Sequence, residues 1–324
     1  MTNKISMTPP QLPSALIQEM AILSAQAVSI EFNAFASTLK QRFGDSLDAI
    51  LLYGSCLHTT DLAEGVADFY VLVDDYQNAY AEHYLKFFNR ILPPNVFYLE
   101  VNYQEKIYRS KYAVFTTSHF EKAANDWFHP YIWARFAQPS RILYARNEII
   151  RQRINTALAQ SVVKFLRTTL AALPENTLTV EAIWTNGLML TYAAELRTEK
   201  QTRAQKLTQL SLSEYTGLTA TALPALQDMM EKSESQHCYH IHSTRFKNNV
   251  TKFQWWLRRW QGRVLSILRL GKATFTFRDC ADYAAWKIER HTGVRIEVTP
   301  MLRRHPILLG YKIIWKLFRR GIVR

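Results

Sequence analysis

The chain has 324 residues, 48% of them hydrophobic, and a formal net charge of +13. This length and apolar content support one large or two ordinary folded domains and exclude wholesale disorder; ten glycines and eleven prolines exclude a low-complexity or collagen-like chain. Three cysteines at wide spacing, Cys56, Cys238 and Cys280, argue against a disulfide framework, and no apolar run reaches the roughly 18 to 20 residues that span a bilayer.

The first segment, to about residue 44, opens with prolines and predicts helix through Leu16, Met20, Leu23 and Val28, ended at Gly44-Asp45. Residues 49–53 predict a buried strand that closes in Gly54-Ser55, and 68–73 a second strand ended by Asp74-Asp75. Residues 79–91 predict a helix stopped by Pro93-Pro94, and 96–103 and 108–116 two further strands, paired as a hairpin or as neighbours. From about Ser118 the pattern turns helical, over 119–133, 148–172 and 180–199. Strands first and helices after predict an α/β (α+β) domain over 1–117, a helical domain over 118–249 that closes a cleft, and a basic amphipathic region over 250–324. The charge follows this division, with nineteen Lys or Arg against four acidic residues between Arg245 and Arg324 and an acidic balance in the first hundred residues. That asymmetry suits a catalytic half joined to a half that docks on a polyanionic surface.

The candidate chemistry lies at the first two strands. A strand that delivers Gly54-Ser55 into a turn brings backbone N–H groups and a hydroxyl close to a phosphate without Cβ interference. Asp68, on the next strand, stands where a carboxylate can hold Mg²⁺ against a triphosphate. This is the pattern of a nucleotidyltransferase, with Tyr70 in the place where polymerase-type members carry a second carboxylate. On these residues alone the competing reading is an ordinary strand–turn–strand with a solvated Asp68.

Further along, Tyr53-Gly54-Ser55, Ala67-Asp68-Phe69 with Val73-Asp74-Asp75, Ser110-Lys111-Tyr112-Ala113-Val114 and Asp126-Trp127 with Tyr131 and Ala134-Arg135 form an ordered series. Leu173-Pro174-Glu175 and Tyr192-Ala193-Ala194-Glu195-Leu196-Arg197 continue it. In order and rough spacing, over residues 49–200, the series resembles the mitochondrial-type phosphatidate cytidylyltransferases, or CDP-diacylglycerol synthases, of the translocator assembly and maintenance family. The chain departs from that family at Cys56, Ala113, Ala134 and Ala194, where the family has glycine, and at Glu195, where it has aspartate. The pattern is that of a diverged, bacterial-type member.

The resemblance implies a nucleotidyltransferase fold and transfer of CMP from CTP to phosphatidic acid with release of pyrophosphate. It implies Asp68 as a Mg²⁺ ligand, with Asp74, Asp75 or Glu100 as candidate second carboxylates. Tyr53, Gly54 and Ser55 would line the nucleotide site, and Lys111, Arg135 and Arg197 would face phosphate. For Arg135 and Arg197 a structural ion pair is the equal alternative, with Glu195 near Arg197.

Two segments remain. The run His237-Cys238-Tyr239-His240-Ile241-His242 has no second ligand pair and reads as a polar loop rather than a zinc site. Over 250–270, Phe253, Trp256, Leu257, Trp260, Val264, Ile267 and Leu268 share one helical arc, opposite Lys252, Arg258, Arg259, Arg263 and Arg269. Residues 306–320 repeat the arrangement. Such helices suit an anionic membrane surface, so the expectation is a cytoplasmic protein held peripherally on the inner face of a membrane. The rivals are a nucleotidyltransferase acting on RNA or another soluble acceptor, and a non-catalytic lipid-binding descendant.

Overall fold

The computed structural model describes residues 11–57, 65–195, 201–234, 237–242, 245–276, 289 and 297–304. Helices α1 (Ser14–Ser24) and α2 (Phe32–Phe43) replace the single opening helix, and Gly44, at φ +51°, ends the second. β1 (Leu47–Tyr53) and β2 (Val66–Val73) follow, then the short α3 (Tyr76–Ala79), α4 (His83–Ile91), and the hairpin of β3 (Asn95–Tyr103) with β4 (Lys106–Thr116). α5 (Thr117–Asn125), α6 (Trp133–Phe136) and β5 (Ser140–Ala145) come next.

The five strands form one mixed sheet in the order β3-β4-β2-β1-β5, with β2 and β4 parallel and the other neighbours antiparallel. Both faces are covered, which is why β1 and β2 read as continuous apolar runs. Leu51, Tyr70, Leu72, Ala113 and Phe115 join one apolar cluster, and Ile50, Leu52, Phe69, Val71 and Val114 a second.

The first cluster continues into α7 (Glu148–Leu170), α8 (Val180–Ala193) and α10 (Leu212–Ala222), with α9 (Gln201–Leu210) beside α8. The strand-then-helix order predicts a boundary at residue 117; elements from both sides of that position share this cluster. β5 returns from beyond that boundary to pair with β1, and α1 packs on α7 and α10. β5 is a short strand at the sheet's edge that opens with the polar Ser140-Arg141, so it carries no alternation to mark it. A small sheet of β6 (Asn176–Thr179), β7 (Met230–Lys232) and β8 (Cys238–Ile241), in the order β6-β8-β7, includes most of the histidine-rich run that had read as a loop.

The basic segment 250–270 lies within one helix, α11 (Arg245–Thr276). It attaches by an unexpected flank. Thr251, Trp255, Arg258, Gly262, Lys272 and Thr276 are buried, at alternating intervals that make a single seam. Arg258 Nε donates to the Phe128 carbonyl at 2.9 Å, Arg269 Nε to that of Pro93 at 3.2 Å, and Lys272 Nζ to that of Leu92 at 2.6 Å. Arg258 and Arg269 are thus fasteners to the protein rather than members of a free basic arc. The apolar arc faces out instead: Phe253, Trp256, Trp260 and Ile267 are each more than half exposed. Among the described residues no helix is long and apolar enough to cross a membrane. Residues 305–324, with the second amphipathic pattern, lie outside the described residues, as does Cys280.

Two predictions follow from the α11 seam. A Cβ at Gly262 would sit 1.9 Å from the Ala194 carbonyl oxygen, so Gly262→Ala must push the helix off α8 at a cost of about 1–3 kcal/mol; hydrogen exchange along α11 should accelerate, and unchanged exchange would refute the contact. Burial, with Arg269 beside it, lowers the Lys272 pKa from 10.5 to about 7. Between those values the free lysine binds more protons than the buried one, so the attachment of α11 strengthens as pH rises above about 7. Exchange rates corrected for intrinsic pH dependence should fall across that window, and Lys272→Met should abolish the trend.

Candidate active site

The sheet register assembles the site. Tyr53 pairs with Asp68, Asp68 with Lys111, Lys111 with Tyr98, and Tyr53 on its other side with Ser140. Cross-strand neighbours share a face, so one transverse row carries a phenol, a carboxylate and an ammonium side by side. Immediately after Tyr53 the backbone enters the left-handed region at Gly54, φ +86°. A Cβ at Gly54 would lie 3.7 Å from Asp68 Oδ2, which brings the carboxylate directly over the bend. Glycine is required there by the φ value.

A cleft of about 340 Å³ opens above this row, within the range of small-molecule sites. Tyr53, Gly54, Ser55, Asp68 and Lys111 form its sheet side, Ala134, Arg135, Gln138 and Pro139 one wall, and Thr191, Tyr192, Glu195, Arg203 and Tyr215 the helical side. Helices beyond the sheet thus close over the Gly54 bend. Six of the residues singled out in the sequence meet in this one cavity although they span positions 53 to 135.

Arg135 is held within the wall. Its guanidinium donates to Tyr70 Oη at 3.2 Å, to the Tyr131 carbonyl at 2.7 Å and to Glu195 Oε2 at 3.3 Å. Burial opposes its charge, but Tyr70, Glu195, Tyr53 and Tyr131 more than offset that and keep it protonated. Tyr70, in the place of a polymerase-type second carboxylate, therefore serves to orient an arginine. α11 reaches the same wall, where the Arg269 guanidinium lies 3.9 Å from the centre of the Tyr131 ring.

The proposed second carboxylates are elsewhere. Asp74 and Asp75 follow β2 at the end opposite Asp68, about 20 Å away along an extended strand. Asp75 Oδ1 accepts from the Gln77 N–H at 2.7 Å as the cap of α3, and Asp74 Oδ2 accepts from Asn78 Nδ2 at 3.0 Å. Glu100 sits on the edge strand β3, bonded to Arg109 Nε at 3.1 Å and to Tyr98 Oη at 2.7 Å. None of the three lines the cleft. Arg197 lies outside the described residues.

Besides Asp68 the cleft is lined by the carboxylate of Glu195, which is paired with Arg135, and by a further cation, Arg203. In the sequence Glu195 is a motif position and a neighbour of Arg197; Arg203 has no local signal, and only the approach of α9 brings it in. Cys56 faces away from the cleft, in the apolar cluster on the other side of the sheet, with its thiol donating to the Val66 carbonyl at 3.3 Å. Burial and the charge of Asp68 push that thiol up to about 11, so it stays protonated.

The donor set fits a magnesium ion that arrives with phosphate. Mg²⁺ takes one or two carboxylates and completes its octahedron with phosphate oxygens and water. Asp68 beside a bend with no Cβ, with Glu195 across the same cavity, matches that need. Among the described residues no group of three or more His, Cys, Asp or Glu side chains forms a closed protein cage.

Removing Arg135 would break an ion pair whose two side chains are only 9% and 16% exposed. Arg135→Met should therefore cost about 3–5 kcal/mol in chemical unfolding; a loss below about 1 kcal/mol would mean that the pair does not hold the wall together. No protein-family model matches this sequence, and no curated protein does.

Proposed function

We propose that this chain is a nucleotidyltransferase that moves CMP from CTP to phosphatidic acid, giving CDP-diacylglycerol and pyrophosphate while docked on an anionic membrane surface. The observation that carries this reading is the Asp68 carboxylate over the Gly54 bend, with Lys111 beside it, at the positions where the resembled cytidylyltransferases have their Tyr-Gly-Ser and Asp-Phe motifs. The nucleotidyltransferase fold itself belongs to this proposal; what surrounds the site is a mixed five-stranded sheet covered by helices.

In the reaction a phosphate oxygen of phosphatidic acid attacks the α-phosphorus of CTP. A P–O bond forms as the bond to the β-phosphate oxygen breaks, and pyrophosphate leaves with the electron pair. A phosphomonoester is largely ionised near neutral pH, so the cleft need not supply a strong general base. Its work is alignment and charge neutralisation, which dominate phosphoryl-transfer catalysis generally. Lys111 would face the triphosphate, Ser55 and the Gly54 backbone would cradle it, and Arg135 would hold Glu195 and the tyrosine wall in place. Arg203 adds a cation on the helical side for the second phosphate group. Asp68, with Glu195 across the cleft, would hold Mg²⁺, whose charge would lower the cost of gathering a triphosphate and a phosphomonoester in one cavity.

The outward apolar face of α11 supports a lipid acceptor over a soluble one. Phe253, Trp256 and Trp260 are 63%, 54% and 59% exposed, in a helix with no acidic residue. That composition suits the headgroup region of a bilayer, and the contact of Gly262 with Ala194 sets α11 next to Glu195 of the cleft.

The test is incubation with labelled CTP, Mg²⁺ and vesicles containing phosphatidic acid, followed by lipid extraction. Label should enter the organic phase, and Asp68→Asn should lower the rate by about a hundredfold or more, equivalent to roughly 2.7 kcal/mol of transition-state stabilisation. Full activity in that variant would refute the metal assignment. Label transferred only to RNA or a soluble acceptor would establish the first rival, and failure to bind Mg·CTP would establish the non-catalytic one.

A further inference from the structure

We infer that the apolar flank of α4 forms, together with the outward face of α11, one continuous surface that inserts into the boundary between headgroups and acyl chains of an anionic bilayer. This rests on the reading of α11 as a membrane-docking helix and extends the docking surface to an element that the sequence pattern did not mark.

On α4, Tyr84, Phe87 and Ile91 follow one another at helical spacing and are 40%, 59% and 64% exposed. The opposite flank holds the helix to the sheet through the buried Leu85 and through amides. Asn89 Nδ2 donates to Tyr80 Oη at 3.1 Å and to the Val114 carbonyl at 3.0 Å, and Asn95 Nδ2 donates to the Leu85 carbonyl at 2.9 Å. α11 is built the same way, with Arg258, Arg269 and Lys272 bonded inward to carbonyls. Two helices thus fasten through polar groups beside the buried Leu85 and Trp255, and turn further aromatic and aliphatic side chains outward.

They meet at residues 92–94. Arg269 bonds the Pro93 carbonyl and Lys272 bonds those of Leu92 and Pro94, immediately after Ile91 ends α4. The last turns of α11, with Phe275 68% exposed, therefore run beside the exposed end of α4.

Charge selects the occupant. Neither 83–91 nor 245–276 contains an Asp or Glu. Exposed Arg90, Lys252 and Arg263 border the apolar flanks. Interfacial tryptophans with a cationic border and no carboxylate complement anionic lipid. A bilayer also accepts protruding helix flanks without the matched groove that a protein partner must supply. With two helices inserted, the cleft takes a fixed orientation to the lipid, which a single helix, free to roll about its axis, would not enforce.

The experiment is flotation of the full-length protein with phosphatidylcholine vesicles, with and without phosphatidic acid, at low salt and at roughly 1 M salt, where the screening length falls to about 3 Å. The proteins compared are wild type, Trp256→Ser/Trp260→Ser and Phe87→Ser/Ile91→Ser, with thermal unfolding of each as a control for folding. The α4 double variant should bind acidic vesicles about tenfold or more weakly, retain its unfolding midpoint, and keep that deficit at high salt because the lost contact is apolar. If wild type and the α11 variant differ but the α4 variant matches wild type, α4 is not inserted and the inference falls while the α11 reading stands. If wild type ignores all vesicles, membrane docking falls as a whole. If sedimentation velocity shows a dimer that Phe87→Ser/Ile91→Ser converts to monomer with vesicle binding unchanged, the surface serves a second copy of the chain and the inference is overturned.

Discussion

The pairing of Tyr53 with Asp68 across two antiparallel strands is the constraint from which the rest of the cleft follows. It fixes the carboxylate opposite the last residue of β1, so that it overlies the backbone as it turns at Gly54. A shift of one residue would turn Asp68 to the opposite face of the sheet and put Phe69 over the bend. What opposes that shift is Asp68 itself, whose carboxylate would enter the apolar cluster on the far face. Phe69 and Val71 belong to the cluster on one face, and Tyr70 and Leu72 to that on the other.

Above the row, the site depends on a wall that is polar yet closed. Arg135 ties together Tyr70 from the sheet, the Tyr131 carbonyl from the preceding loop and Glu195 from the end of α8. Buried ionic contacts of this kind add little net stability against an apolar substitute, but an unpaired member is costly. Their effect here is geometric, because three separate segments keep a common edge around the cavity. Arg269 extends the arrangement to α11 by lying over the Tyr131 ring. The outer helix and the cleft therefore share a wall.

The orientation of α11 shows how a helical wheel can be right about amphipathicity and silent about direction. The wheel separated apolar from basic residues correctly, but which flank meets the protein depends on the surface opposite. That surface offers the carbonyls of Leu92, Pro93, Pro94 and Phe128. Such groups need donors when covered, and Arg258, Arg269 and Lys272 supply them. The apolar flank is left outward as a consequence.

The sequence by itself determined the local pieces. Short apolar runs ending in Gly-Ser or Asp-Asp marked β1 and β2, the 3.6-residue period marked α7 and α8, and motif order brought out Asp68, Lys111 and Arg135, all of which line the cleft. Tertiary structure decided what depends on long-range pairing. It recruited β5 across the expected domain boundary, set Glu195 and Arg203 opposite the Gly54 bend, and removed Asp74, Asp75 and Glu100 from it. Carboxylates close together in sequence can stand at opposite ends of one strand, since an extended chain advances about 3.3 Å per residue. Residues more than a hundred positions apart can share a cavity when helices fold back over a sheet, and no local pattern encodes that return.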